Sequence, residues 1–407
     1  MEQDLYELPD GWEWQKFNDV CTNITDGAHA SPKTVDEGFP YVTVRDVNHK
    51  GQIDLINCKR ISEDDFLFLK KGNCLPPVDS VLLSKDGTVG KVAHVTSNYD
   101  EFVVLSSLAI IVPDKTYLSP EYLKYFLLSP EFQDYAIGSK TGAAIKRIVL
   151  RTIKNFNIPI APLEQQKRIV EKLDALLTRI DTAIEHLQQS VTLADALYAS
   201  TINEQMMQAI ELAGLSTVEK HIEQIQTGTT PPTKQPEFYE NGDINWFAPS
   251  DFGDHDILFD SNKKLSQKAF DAGKARKFDA GTIMLVAIGA TIGKIGYLEQ
   301  DASSNQQITG MKFNSAIIPR YAYYWFRFIK PEILTNASTA TLPIINQKGI
   351  KALSFCAPNK QLQETICKKI DEVSNFRNTV KAELNEKVEL MRSLKASILD
   401  SAFKGEL

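Results

Sequence analysis

No apolar run in this 407-residue chain approaches the length needed to cross a bilayer. Met1–Asp10 is acidic and lacks the basic-then-apolar order of a signal peptide. Cysteine is scarce: Cys21, Cys58, Cys74, Cys356 and Cys367 are odd in number, scattered, and form no CxxC pair, which argues for reduced thiols and against disulfides or structural zinc. There is no low-complexity tract to suggest extended disorder. A basic excess is also missing. The formal net charge is −7, whereas a protein that grips nucleic acid alone usually carries a surplus of Lys and Arg. Together these absences predict a cytoplasmic, globular protein whose nucleic-acid contacts, if any, are local or shared with partners.

Two long amphipathic stretches organise the chain. From about Gln166 to Thr201, apolar residues fall at Ile169, Leu173, Leu176, Ile180, Ala183, Leu187, Val191, Ala194 and Leu197, in steps alternating between three and four. That is the seam of a coiled coil. The rhythm returns between Gln363 and Phe403 through Ile366, Ile370, Val373, Val380, Leu384, Val388, Met391, Leu394 and Ile398. Gln166, Asp174, Leu197, Ala199 and Ser200 match Gln363, Asp371, Leu394, Ala396 and Ser397 at one constant offset, so neither stretch has gained or lost a residue between these positions. The expected seam is Ile169, Leu173, Leu176, Ile180 and Leu187 on the first helix, facing Ile366, Ile370, Val380, Leu384 and Leu394 on the second.

The segments before the helices also repeat. Asp26-Gly27 and the strand-like Phe39–Val47 correspond to Thr227-Gly228 and Ile244–Phe252. Val81-Leu82-Leu83 leading into Gly87–Val92 corresponds to Ile283-Met284-Leu285 leading into Gly289–Ile295. A Ser/Thr/Gly turn follows in each half, at residues 139–144 and 337–341. An apolar strand closed by proline comes next, Phe156–Pro162 and Leu353–Pro358. Proline suits a strand-to-helix junction, because it ends a ladder and tolerates the first helical turn. Helices are expected at Pro120–Leu128 and Arg320–Ile329. The fold class is therefore α+β: two similar globules separated by two long helices that form an antiparallel coiled coil, with pseudo-two-fold symmetry. The expected boundaries are 1–163 and 214–359 for the globules, and 164–213 and 360–407 for the helices. A helix of about 40 residues is about 60 Å long, enough to hold two diverged globules on separate stretches of one duplex.

The start Leu8-Pro9-Asp10-Gly11-Trp12-Glu13-Trp14, the junction Pro159–Ile169 with Lys172-Leu173-Asp174, and the ending Ile398–Leu407 resemble those of specificity (S) subunits of type I restriction–modification systems. The resemblance spans the whole chain. In the second copy the junction Pro358–Glu364 carries one extra residue, and the tryptophan-rich entry is not repeated. The resemblance implies a non-catalytic subunit that reads a bipartite, asymmetric double-stranded DNA target, one half per globule. It implies docking of two methyltransferase (M) subunits, which bind S-adenosylmethionine and methylate a flipped adenine at N6. Two restriction (R) subunits, using ATP and Mg, are implied to join the same core. It implies no cofactor in this chain. A coiled-coil protein–protein adaptor without DNA readout is the alternative from a different class.

Motifs for independent chemistry are sparse. Gly289–Lys294 has three residues between its glycines instead of the four of a phosphate-binding loop, and Ile295 replaces the hydroxyl that would hold magnesium, so a strand–turn–strand is expected. No Asn-Pro-Pro-Tyr stretch is present, and Asp254-His255-Asp256 has no second cluster with which to bind metal. The expected DNA contacts come instead from the repeated loops. They are Lys85, Lys91, Lys140, Thr141, Lys146 and Arg147 in the first copy, and Thr229, Thr230, Lys234, Lys294, Ser338, Thr339, Thr341 and Asn346 in the second. Lysines suit phosphates, while Arg, Asn, Ser and Thr can read base edges. Exposed Glu171, Arg179 and Glu185 are expected to face M subunits.

Overall fold

The alternating apolar segments of each half close into the same small antiparallel sheet. In the computed structural model, which describes every residue except 1, 2, 4, 30, 139–146, 254–256 and 339–341, the chain forms two units. The first comprises residues 1–188 and 385–407, the second 189–384.

The central sheet of the first unit has the order Cys21–Asp26, Leu108–Pro113, Val81–Ser84, Val92–His94, every neighbour antiparallel. In the second unit the order is Ile222–Thr227, Ile308–Phe313, Ile283–Val286, Ile295–Leu298, with Ile257–Leu258 added in parallel at the edge. The duplication read from sequence is thus a duplication of topology. Each unit adds a smaller sheet built on the second repeated segment, Phe39–Val42 or Ile244–Phe247. Glycine is required where the repeat begins. A Cβ on Gly27 would lie 1.9 Å from the Val104 carbonyl oxygen, and one on Gly228 2.3 Å from that of Asn305.

One face of each central sheet is covered by an aromatic helix, Pro120–Leu128 or Pro319–Phe328. Tyr321, Tyr323, Tyr324, Trp325 and Phe326 are all fully buried, so the aromatic run is core. The Tyr122 hydroxyl donates to the Pro159 carbonyl at 2.9 Å, and the Tyr321 hydroxyl donates to that of Cys356 at 3.0 Å. Tyr125 donates to Asp174 and Tyr324 to Asp371. Burial pushes both hydroxyls well above the ordinary tyrosine range, which keeps them protonated as donors.

The long helices span Leu163–Ala213 and Lys360–Phe403, longer at their starts than the apolar seam alone indicates. Each core is completed by two helical segments. The first unit buries Ile169, Leu173, Leu177 and Ile180 with Leu399, Ala402 and Phe403. The second buries Ile366 and Ile370 with Tyr198, Ile202, Met206 and Ala209. Ion pairs give the direction of pairing in the second unit: Asp195 meets Lys381 at 3.0 Å and Glu204 meets Lys369 at 3.8 Å, so the segments are antiparallel. In the first unit Lys395 meets Asp181 at 2.8 Å.

The expected seam needs correction at two positions. Leu176 and Leu394 are 37% and 47% exposed, and Leu197, at the repeat position of Leu394, is 49% exposed. Leu177, Tyr198 and Leu399 are buried instead. A strict coiled-coil rhythm tracks a narrow stripe facing one partner helix. Here the helix ends also pack on a globule, which widens the buried stripe to the i, i+3, i+4 pattern and moves its centre by one residue. Ile169, Leu173, Ile180, Ile366 and Ile370 are buried, while Leu187, Val380 and Leu384 are half-buried.

Candidate nucleic-acid interface

In each unit the glycine turn and the base of the Ser/Thr/Gly loop, both expected to carry DNA contacts, meet the Gly27 or Gly228 segment at one end of the central sheet. In the first unit, the backbone N–H of Ile148 donates to the Lys85 carbonyl at 2.9 Å, and Asp86 pairs with Arg147 as an isolated bridge. This joins the base of the Ser/Thr/Gly loop to the glycine turn. The Gly27 segment joins them through Asp26, whose carboxylate lies 3.2 Å from the Lys85 ammonium. In the second unit Ile345 donates to Ala287 at 3.0 Å and Gly289 to Pro343 at 3.0 Å, and Ile288 bridges Ile344. The Gly228 segment again joins them, since the Gln347 amide donates to the Thr227 hydroxyl at 3.1 Å.

The backbone scaffold is therefore shared, while the side chains differ. Lys85 is 1% exposed, and its ammonium sits 3.0 Å from Asp86 as well as beside Asp26. Arg147, an exposed side chain, holds the other oxygen of Asp86 at 3.0 Å. The equivalent positions in the second unit, Ala287, Ile288 and Ile344, carry no charge, and Thr227 faces Thr309 with 3.2 Å between hydroxyls.

The lysines of the two glycine turns brace rather than reach outward. The Lys91 ammonium donates to the carbonyls of Val44 and Val47 at 3.0 and 2.6 Å, and that of Lys294 to Phe252 at 2.8 Å. Both tie the central sheet to the short helical turn that Asp46 or Asp251 caps, each accepting a backbone N–H at 2.7 Å. Gly289–Lys294 is accordingly the turn between two strands. Thr229 accepts from the Arg276 backbone N–H at 3.1 Å, and Thr230 pairs with Gln306. Thr230, Lys234, Ser338 and Asn346 lie on the surface, the last as a helix cap accepting from Gly349 at 2.9 Å. Lys140, Thr141, Lys146, Thr339, Thr341 and the Asp254-His255-Asp256 stretch lie outside the described residues.

Sequence reasoning missed two neighbours of this surface. His29 stands 3.1 Å from Asp26 with its ring largely exposed, and Arg276 reaches back to the Thr227 carbonyl. At the offset that relates Gly27 to Gly228, His29 falls opposite Thr230, so the repeat could have flagged it, whereas Arg276 lies outside the repeated segments. Among the described residues, no group of three or more His, Cys, Asp or Glu is placed to hold a metal, and no helix is long and apolar enough to cross a membrane.

A duplicated globule–helix unit with diverged loops on a constant scaffold defines a modular recognition protein. The family described as "Type I restriction modification DNA specificity domain" matches residues 9–193 and 220–390. The chain belongs to this family and carries the domain twice. It is 23% identical over 432 residues to the type I restriction enzyme StySPI specificity subunit of Salmonella potsdam, covering 98% of this chain and 90% of that one. A chain solved in work on complex assembly and conformational transition of the type I R-M system has a TM-score of 0.74 at 18% identity, covering 99% of this chain and all of the other. The crystal structure of the HsdS subunit from Thermoanaerobacter tengcongensis has a TM-score of 0.51 at 18% identity over the full length of both. These two likenesses establish a shared fold.

Proposed function

We propose that each globule reads one half of a bipartite, asymmetric double-stranded DNA target through the loops gathered at the end of its central sheet. The observation that carries this reading is the contrast between the copies: one backbone arrangement presents Lys85, Asp86 and Arg147 in the first unit but Ala287, Ile288 and Ile344 in the second. Two copies with one scaffold and different side chains suit two different half-sites. In this reading Arg147, Thr230, Lys234, Ser338 and Asn346 are the described surface residues available to DNA, while Lys85, Lys91 and Lys294 shape the loops that carry such contacts.

The chain itself is non-catalytic and works in the cytoplasm. It docks two M subunits that hold S-adenosylmethionine and methylate adenine, and R subunits that use ATP and Mg join the same assembly. Two M subunits are supported by a repeated apolar surface. Leu193 and Leu197 are 69% and 49% exposed, and at the same repeat offset Leu390 and Leu394 are 61% and 47% exposed. A doubled exposed leucine pair on each helix suits two copies of one partner. The net charge of −7 fits an assembly in which partners share the phosphate contacts.

The test is a module exchange. Replacing residues 1–160 with the corresponding globule of another family member changes one half of the methylated target and leaves the other half intact. A target unchanged, or changed in both halves, contradicts the modular reading.

A further inference from the structure

The second unit contains a cleft of about 770 Å³ between globule and helices, and its lining is strongly cationic. Among the described residues that line it are Lys294, Arg327, Lys330, Arg377 and Lys381, against one carboxylate, Asp195. This stands out in a chain with a net charge of −7. The volume lies in the range of small-ligand sites.

The repeat shows what this place looks like without cations. Arg377 and Lys381 correspond to Ile180 and Ile184 at the offset that relates Gln363 to Gln166. Arg327 corresponds to Leu128 at the offset that relates Tyr324 to Tyr125. In the first unit those three residues are apolar: Ile180 is buried in the core, and Leu128 and Ile184 pack against it. Partly buried cations are costly where apolar residues have already been shown to fit, unless negative charge offsets them. Arg377 is only 6% exposed, its guanidinium 3.8 Å from Asp195 and stacked on Tyr198 at 4.3 Å. Arg327 approaches the same ring at 5.2 Å. The same Asp195 also receives Lys381 at 3.0 Å. One carboxylate is thus shared by two cations, and the exposed Lys330 adds positive charge at the cleft.

We infer that this cleft binds a multiply charged, phosphate-bearing anion. Planar guanidinium groups held in place on an aromatic ring, beside ammonium groups, match tetrahedral phosphate oxygens through charge-assisted hydrogen bonds. Two sources supply that chemistry: a small free phosphate compound, or a backbone phosphate of DNA. The second source rests on the DNA-reading function proposed above.

The experiment uses the full chain assembled with its methyltransferase subunits, as wild type and as Lys330→Gln/Lys381→Gln. Both substitutions remove the charge while keeping a polar, unbranched side chain and lie outside the buried core, and thermal melting verifies that the variant is folded. Inorganic pyrophosphate is titrated by calorimetry, and binding to a target duplex is followed as salt is raised. Saturable pyrophosphate uptake, weakened at least tenfold in the variant, assigns a free phosphate ligand. No pyrophosphate uptake, with a log–log salt slope for DNA reduced by about one to two in the variant, assigns a DNA phosphate. No pyrophosphate uptake and an unchanged slope overturn the proposal. Failure of the wild-type assembly to bind any target duplex would count against the DNA-reading function instead, and the pyrophosphate titration would still decide the cleft.

Discussion

The side-chain carbonyl of Gln363 accepts the backbone N–H of Ile318 at 2.8 Å, locking the start of the second long helix to the entrance of the aromatic helix. Its amide donates to the carbonyls of Ala316 and Pro358 at 3.0 and 2.7 Å. Gln166 makes the same three bonds in the first unit, accepting from Ser119 at 2.9 Å and donating to Tyr117 and Ala161 at 2.7 and 2.8 Å. Both glutamines are fully buried. Leucine at either position leaves three backbone groups without partners. Each substitution should therefore lower the stability of its own unit by about 2–4 kcal/mol. Urea denaturation checks this, and an unmoved midpoint would show that the bonds are replaceable by water.

Lys85 offers a second stability test, because it is buried between two carboxylates. Lys85→Met keeps the aliphatic stem and removes the charge, leaving Asp26 and Asp86 facing each other without the ammonium between them. The expected loss is about 3 kcal/mol, read from the melting of the first unit. A variant of unchanged stability with weakened DNA binding would instead make Lys85 a direct phosphate contact.

The exposed leucine pairs predict how many partners dock. Leu193→Gln/Leu197→Gln should remove one M subunit from the assembly, and Leu390→Gln/Leu394→Gln the other, with helicity unchanged because all four side chains are largely exposed. Mass measurement of the purified complex counts the subunits. Retention of both M subunits in both variants places the docking surface elsewhere.

The first unit should lose stability in mild acid. His94 lies 3.6 Å from Asp79 and 3.8 Å from Glu121, yet burial, the largest influence, lowers its pKa below the ordinary value of 6.5. The folded state therefore binds fewer protons than the unfolded state just below that pH. Its contribution to stability is intact above about pH 7 and declines as pH falls through the unfolded value toward the folded one. His94→Gln should flatten the stability profile between about pH 7 and 5. An identical profile in the variant would transfer the effect to other groups.

Much of this architecture was legible because it is written twice. The constant spacing from Gln166 to Gln363 and from Asp174 to Asp371 marks residues that make the same contacts in both copies. The paired Gly27 and Gly228 mark equal backbone approaches. What remained hidden depends on the third dimension. Leu176 and Leu177 are equally apolar neighbours, and only the position of the globule decides which one is buried. Lys85 and Lys91 looked like surface cations because glycine turns are usually exposed. The Asp26 carboxylate and the Val44 and Val47 carbonyls that help capture them come from segments about 40 to 60 residues away in sequence. Arg377 and Lys381 sat within an ordinary polar stretch of helix until the repeat placed them against Ile180 and Ile184.

The central claim is that two diverged globules read two different half-sites. Its most direct test is co-expression of this chain with its methyltransferase subunit, followed by mapping N6-methyladenine across the host DNA. The account predicts one split motif with unlike halves and a fixed unread gap, methylated on both strands. A soluble, assembled complex that leaves no methylation, or that marks a single undivided sequence, would contradict it.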